Sequence, residues 1–218
     1  MTNNVKQISI RLLPDGFSLF GQDCLIAPGA DFDQRLEEAL IDALTDTEAD
    51  DTVCSVETTR FCLSPTNIGQ DQAESMFHLT MPESDTEETL IHQTSDDLQI
   101  TATFALSTRT YNFLRRNYGD VTFTHPIIAL HNLSVDIADD GNCMIVEADG
   151  RWINIAVYKA RQLYLANRFQ TASTDNALFY VMNVWTQCQL DVLDDRLHFV
   201  TAPDELRQTI SKYIKQCE

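Results

Sequence analysis

VEADGRWINIAVY, Val146–Tyr158, sets an Asp-Gly pair between two strand-like runs, and LLPDGFSLF, Leu12–Phe20, repeats the device near the N-terminus. Glycine accepts positive φ at no steric cost and aspartate tolerates it, so the pair suits a tight, twisted hairpin turn. Outward from the second pair, Cys143–Ala148, Trp152–Tyr158 and Gln162–Asn167 read as three consecutive strands joined by two tight turns. Around the first, Lys6–Leu12 alternates Ile8, Ile10 and Leu12 with Gln7, Ser9 and Arg11, the period of a strand with one buried face. Phe17–Phe20 returns it, and CLIAPG follows as a third strand. An amphipathic helix comes after each meander. The first carries Phe32, Leu36, Leu40 and Leu44 behind a capping-box-like start at Asp31 and Gln34; the second carries Leu178, Val181, Met182, Trp185 and Cys188 behind Thr174 as cap.

Between these, the polar DTEADD (46–51) reads as a loop, Val53–Phe61 as a strand and DQAESMFHL (71–79) as a helix. Pro82–Glu88 is a second loop. Leu98–Leu106 alternates cleanly, with Leu98, Ile100, Ala102, Phe104 and Leu106 on one face. Ser107 can cap the helix after it, with Tyr111, Leu114 and Tyr118 on its buried side and Gly119 at its end. Val121–Thr124 is a short strand, and Pro126 opens a helix bearing Ile127, Leu130 and Leu133. A strand at Leu197–Thr201 and a helix with Leu206, Ile210, Tyr213 and Ile214 close the chain. The grammar is meander, then alternating helix and strand, twice over. It predicts an α/β protein of two similar domains, 1–120 and 121–218.

Against 33 acidic side chains stand 15 basic ones, a formal charge of -18. Such a chain repels phosphate backbones, which argues against a nucleic-acid partner and leaves a protein partner as the expectation. The acids cluster in DTEADD and PESDTEE, which read as solvated segments. No apolar run approaches the ~18 residues that span a bilayer, so no membrane insertion is expected. Six scattered cysteines without a C-x-x-C pair read as buried reduced thiols, in keeping with a cytoplasmic setting.

ISIRLLPDGFSLF, ITATFALSTRTYNFLRRNYGDVTFTHPIIAL and LYLANRFQTASTDNALFYVMNVWTQCQLD carry a family resemblance. The chain resembles the paired ribonuclease H-like domains of the actin-like ATPase superfamily, and is similar to a Bacteroidetes family of unknown function with that fold. The resemblance implies a nucleotide site between the two hairpins, with Asp15 and Gly16 in the first phosphate loop and Asp149 and Gly150 in the second. Each loop is nevertheless pared to a minimal turn, without the extra Gly, Ser or Thr that would cradle phosphates. Where active relatives place a Gly-Gly pair beside the adenosine, this chain reads FVTAPDEL, with Ala202, Pro203 and Asp204. Asp139, Asp140, Glu147, Asp149 and Asp204 lie at or near the segments that would line the cleft, adding negative charge where a triphosphate would sit. Two readings follow. One is a non-catalytic scaffold or interaction protein with a degenerate nucleotide site and no cofactor; the other is an ATPase with atypical phosphate loops that takes ATP and Mg²⁺.

Other chemistry finds little support. His78, His92, His125, His131 and His198 form no H-x-x-x-H pair, and no nucleophile elbow, Walker A loop or G-x-G-x-x-G occurs. A ribonuclease H-type nuclease needs carboxylates converging on two metals about 4 Å apart, which the first strands of both halves lack. Asn167, Arg168 and Gln170 precede a capped helix start, a place suited to an anion with Arg168 as its counter-charge.

Overall fold

Strand β1 (Asn3–Leu13) buries Ile8, Ile10 and Leu12 and exposes Gln7 and Ser9 between them, and it organises the first of two five-stranded sheets. In the computed structural model, which describes residues 3–45, 47–138 and 140–218, the chain divides into two compact units, Met1–Ile128 and Ala129–Glu218. The division falls inside a helix, eight residues beyond the expected boundary at 120.

In the first unit β1 pairs antiparallel with β2 (Gly16–Leu19), which pairs antiparallel with β3 (Gln22–Leu25). Helix α1 (Phe32–Leu44) crosses over to β4 (Thr47–Val56), parallel to β1, and β8 (Val121–Thr124) adds in parallel at the far side. The order is β3-β2-β1-β4-β8. Between β4 and β8 the chain builds β5 (Phe61–Pro65), α2 (Gln70–Thr80), β6 (Glu88–Thr94), β7 (Ile100–Ser107) and α3 (Thr108–Tyr118), with a separate antiparallel sheet β5-β7-β6. Helix α4 (Pro126–Ser134) carries the division.

In the second unit β9 (Asn142–Ala148), β10 (Trp152–Lys159) and β11 (Gln162–Gln170) form the meander. Helix α5 (Thr174–Gln187) leads to β12 (Arg196–Thr201), parallel to β9, and α6 (Asp204–Ile210) leads to β13 (Gln216–Cys217). The order β11-β10-β9-β12-β13 repeats that of the first sheet, position for position and direction for direction.

Strand β10 is buried on both faces. Ile153, Ile155 and Val157 join Met144, Val146 and Ala148 against Val181, Val184 and Trp185 of α5. Ala156 and Tyr158 join Cys143 and Ile145 against Leu130 and Ala138. Each such aliphatic side chain contributes about 1.5–3 kcal/mol on full burial, so this double-sided strand is the centre of the second unit's stability.

Several expected elements shift. Residues 47–51 of the acidic DTEADD run are not a loop: β4 begins at Thr47 and continues the parallel ladder with β1 from Asn3 onward, while Asp46 lies outside the described residues. Val53–Phe61 is divided between β4 and β5, and β6 and β13 are additions. Leu98, at φ 57 and 68% exposed, belongs to the β6–β7 turn and not to the strand face. The buried side of α3 is Thr110, Phe113 and Leu114, with Tyr111 and Tyr118 half-buried. Leu133 and Tyr213 are exposed. Asp31 stands at the N-cap of α1 without capping it; its carboxylate pairs with Arg35 at 3.0 Å, while Gln34 donates to Glu38. Ser107 is the N-cap of α3, but its hydroxyl donates to Asp33 instead of capping. At α5 the cap is Ser173, one residue before Thr174.

Candidate functional site: two hairpin turns and a paired cleft

Leu13 pairs with Gly16, so the loop of the first Asp-Gly hairpin is Pro14–Asp15 and Gly16 already opens β2. Gly16 has φ 145, and a Cβ there would lie 2.0 Å from the backbone carbonyl oxygen of Cys24 on β3. Glycine is therefore required by the close passage of a neighbouring strand. The Asp15 carbonyl accepts the Ile26 N–H at 2.8 Å, which ties the turn to the end of that strand.

The second hairpin is built differently. The Asp149 N–H donates to the Trp152 carbonyl at 3.2 Å, so Asp149 closes the ladder and Gly150–Arg151 is the loop, with Gly150 at φ 92. One carboxylate oxygen of Asp149 accepts two backbone N–H groups, Arg151 at 3.0 Å and Trp152 at 2.8 Å. The loop is also bound to the end of β11, where the Thr171 N–H donates to the Arg151 carbonyl at 2.8 Å and its hydroxyl to the Gly150 carbonyl at 3.3 Å. A Cβ on Gly150 would meet nothing within 4 Å. Asp15 and Gly16 lie in the first unit and Asp149 and Gly150 in the second, and the two aspartates hold different places in their turns.

Arg168, expected as the counter-charge of an anion, is 3% exposed and committed within the sheet. In register across β9, β10 and β11, it donates to Asn154 Oδ1 at 2.8 Å, and Asn154 donates to Glu147 at 2.8 Å. Its guanidinium lies 4.5 Å over the Trp152 ring. The α5 N-terminus is capped from within: Ser173 accepts from the Asn176 N–H at 3.2 Å, and the Asn176 side chain accepts from the Ala172 N–H at 3.3 Å. The Asn154 position shows in the sequence only as one polar residue in an otherwise apolar alternation. At the FVTAPDEL junction, Pro203 precedes α6, and Arg207 reaches back to the Ala202 carbonyl and over the Phe199 ring. Asp140 pairs with Arg161 at 2.9 Å. Asp139 lies outside the described residues.

Beside the first turn, a cavity of about 170 Å³ has an apolar floor including Leu12, Leu13, Val56 and Leu106. Its polar wall is paired internally. Arg60 makes two 2.7 Å bonds to the Glu88 carboxylate and one of 2.9 Å to the Pro82 carbonyl. Glu57, 4% exposed, accepts from Arg11 and Ser55 at 3.0 Å each. Sequence reasoning passed over Glu57; the signal was a lone acid closing the apolar alternation VCSVE.

Three of the histidines make internal contacts. His125 is wholly buried against Phe61 and Phe104 with Nε2 3.0 Å from the Thr58 carbonyl, His131 shares a 2.7 Å bond with the Tyr158 hydroxyl, and His92 bridges Thr103 and Glu74. No cluster of three or more metal-ligating side chains occurs among the described residues. Cys54, Cys62, Cys143 and Cys188 are buried free thiols, and burial pushes the Cys54 thiol far above its ordinary range. Among the described residues no helix is long and apolar enough to cross a membrane.

Charge divides unevenly. The first unit holds 21 acidic and 7 basic residues, a net -14, and the second 12 and 8, a net -4.

Solved structures are similar to the chain to differing degrees. A Bacteroides thetaiotaomicron protein with an actin-like ATPase fold and unknown function superposes with a TM-score of 0.77 at 22% identity, over 97% of this chain and 89% of its own. The PilM–PilN type IV pilus biogenesis complex gives 0.51 at 11% identity, over 96% and 85%. The cytoplasmic domain of EpsL, an inner-membrane component of the Vibrio cholerae type II secretion system, gives 0.45 at 13%, over 92% and 83%. No curated protein matches the sequence. The chain has the actin-like ATPase fold, as the sequence resemblance implied. Residues 2–217 match the family described as "Protein of unknown function (DUF3822)", and the chain belongs to that family.

Proposed function

We propose that the chain is a non-catalytic binding protein, a cytoplasmic scaffold that engages a protein partner on an actin-like frame, with its two turn aspartates serving the hairpins and not a nucleotide. One observation carries this reading: in the second turn the amides of Arg151 and Trp152 are already taken by the Asp149 carboxylate. A phosphate-binding turn leaves such donors for its ligand. Further support comes from Gly16, whose small size is explained by the passage of β3, and from the first unit's net -14, which opposes a polyphosphate. The solved PilM–PilN complex is an instance of this fold assembled with another protein. Six free cysteines suit a reducing compartment.

The test is calorimetric titration of the full chain with Mg-ATP and Mg-GTP, paired with thermal unfolding. No heat of binding and no rise in Tm are expected, whereas a nucleotide at 100 times its Kd would stabilise by about 2.7 kcal/mol. Micromolar binding that disappears in Asp149→Ala would overturn the proposal in favour of an ATPase with atypical loops.

A further inference from the structure

The first sheet ends at β3, and among the described residues no strand pairs with the outer edge of that strand. Natural proteins blunt such an edge with short strands, charged side chains, proline or a covering element, since its unpaired backbone groups recruit other strands. Here the edge is four residues long and carries one charge, Asp23, with neither lysine nor proline, and Leu25 is 63% exposed. Phe20, at the neighbouring turn, is 62% exposed.

Beside this edge runs a groove of about 710 Å³ between the β2–β3 hairpin and α1. Phe17 and Leu19 form its floor, and Ala39 and Ala43, one helical turn apart on the same face, form its far wall. Larger residues at those two positions would close it. Among the described residues, the charged side chains lining it are Asp23 and Asp42, and none is basic.

We infer that this edge and groove receive an extended segment of a partner protein, laid beside β3 as an added strand, with apolar side chains entering the groove at every second residue and a lysine or arginine reaching Asp42. Alternate side chains of a strand share one face, so a single extended segment pairs with the edge and fills the groove together. Because β3 is four residues long, its backbone offers few bonds, and the apolar groove supplies most of the affinity. A basic segment is selected by the first unit's charge. A second copy of the chain is disfavoured, since pairing β3 with itself brings Asp23 toward Asp23 in a molecule of charge -18. This inference rests on the partner-binding reading above and names its surface and partner chemistry.

The experiment selects a phage-displayed random dodecapeptide library on the full-length protein and measures the synthesised winners by fluorescence anisotropy. Enriched peptides are expected to alternate apolar and polar residues and to carry Lys or Arg. Their affinity should fall tenfold or more in Ala43→Trp, which fills the groove from an exposed helix position, and in Asp42→Lys. It should be unchanged in Leu79→Ala, an exposed apolar site on α2. N-methylation of the peptide amides that face β3 should weaken binding, since it removes the few ladder bonds that this short strand offers. Circular dichroism and Tm confirm that each variant is folded. Failure to enrich any peptide, or peptides indifferent to both Ala43→Trp and Asp42→Lys, overturns the assignment. Peptides that bind elsewhere while Mg-ATP stays silent overturn the groove alone and leave the partner-binding reading in place.

Discussion

The two units run the same five-stranded order and spend it in opposite ways. In the second, the meander strands are 7, 8 and 9 residues long, β10 is buried on both faces, and only α6 separates β12 from β13. In the first, β2 and β3 are four residues each, and a second sheet with two helices is inserted between β4 and β8. Most of the acidic excess also sits there. A shared topology therefore fixes the frame while leaving strand length, edge exposure and charge free to diverge. The second unit invests in core and the first in surface.

The sharpest test of that contrast is Trp185→Ala, which removes a side chain 2% exposed from the α5 face of the second core. A loss of about 3–5 kcal/mol in urea unfolding is expected; a surface-like loss would break the claim that this helix face organises the unit. Next comes the pair Gly16→Ala and Gly150→Ala. The first drives a methyl into the Cys24 carbonyl and should cost about 3 kcal/mol. The second enters open space and suffers only its positive φ, about 1 kcal/mol. Equal costs would mean that the two turns are equivalent after all. Asp149→Ala strips two backbone N–H groups of their acceptor and should lower stability by about 1 kcal/mol, the scale of a lost helix cap, with no change in the nucleotide titration. The smallest effect has the opposite sign. Ala160 and Arg161 form the β10–β11 turn at φ 47 and 65, where the β2–β3 turn has Phe20 and Gly21. Ala160→Asn, better suited to that region, should raise stability by roughly 0.5 kcal/mol in thermal unfolding.

Much of this frame was legible because periodicity and turn chemistry agree locally. Ile153, Ile155 and Val157 announce a strand whatever surrounds them, and Asp-Gly announces its turn. What escaped was decided at a distance. The acidic DTEADD reads as a loop by composition, yet from Thr47 on its backbone completes a parallel ladder with residues more than forty positions earlier. Strand β6, ETLIHQT, is half-buried almost throughout, so no clean alternation marks it. Leu98 extends an apolar alternation perfectly and is nonetheless the turn residue. At the candidate site, both Asp-Gly pairs could be named from sequence, but not that one aspartate sits in its loop and the other closes its ladder, since register depends on the partner strand. Arg168 followed the pattern of an anion contact; the cross-strand positions of Asn154 and Trp152 turned it inward.

Asp149 has a kinetic and stoichiometric meaning beyond its two bonds. A carboxylate tethered two and three residues from the amides it serves acts as a ligand at high effective concentration, of millimolar order or above for so short a connection. Any free anion seeking the Arg151 and Trp152 amides competes with a rival that cannot diffuse away. The second turn is thus loaded from the moment it folds, and a single substitution, Asp149→Gly, would unload it.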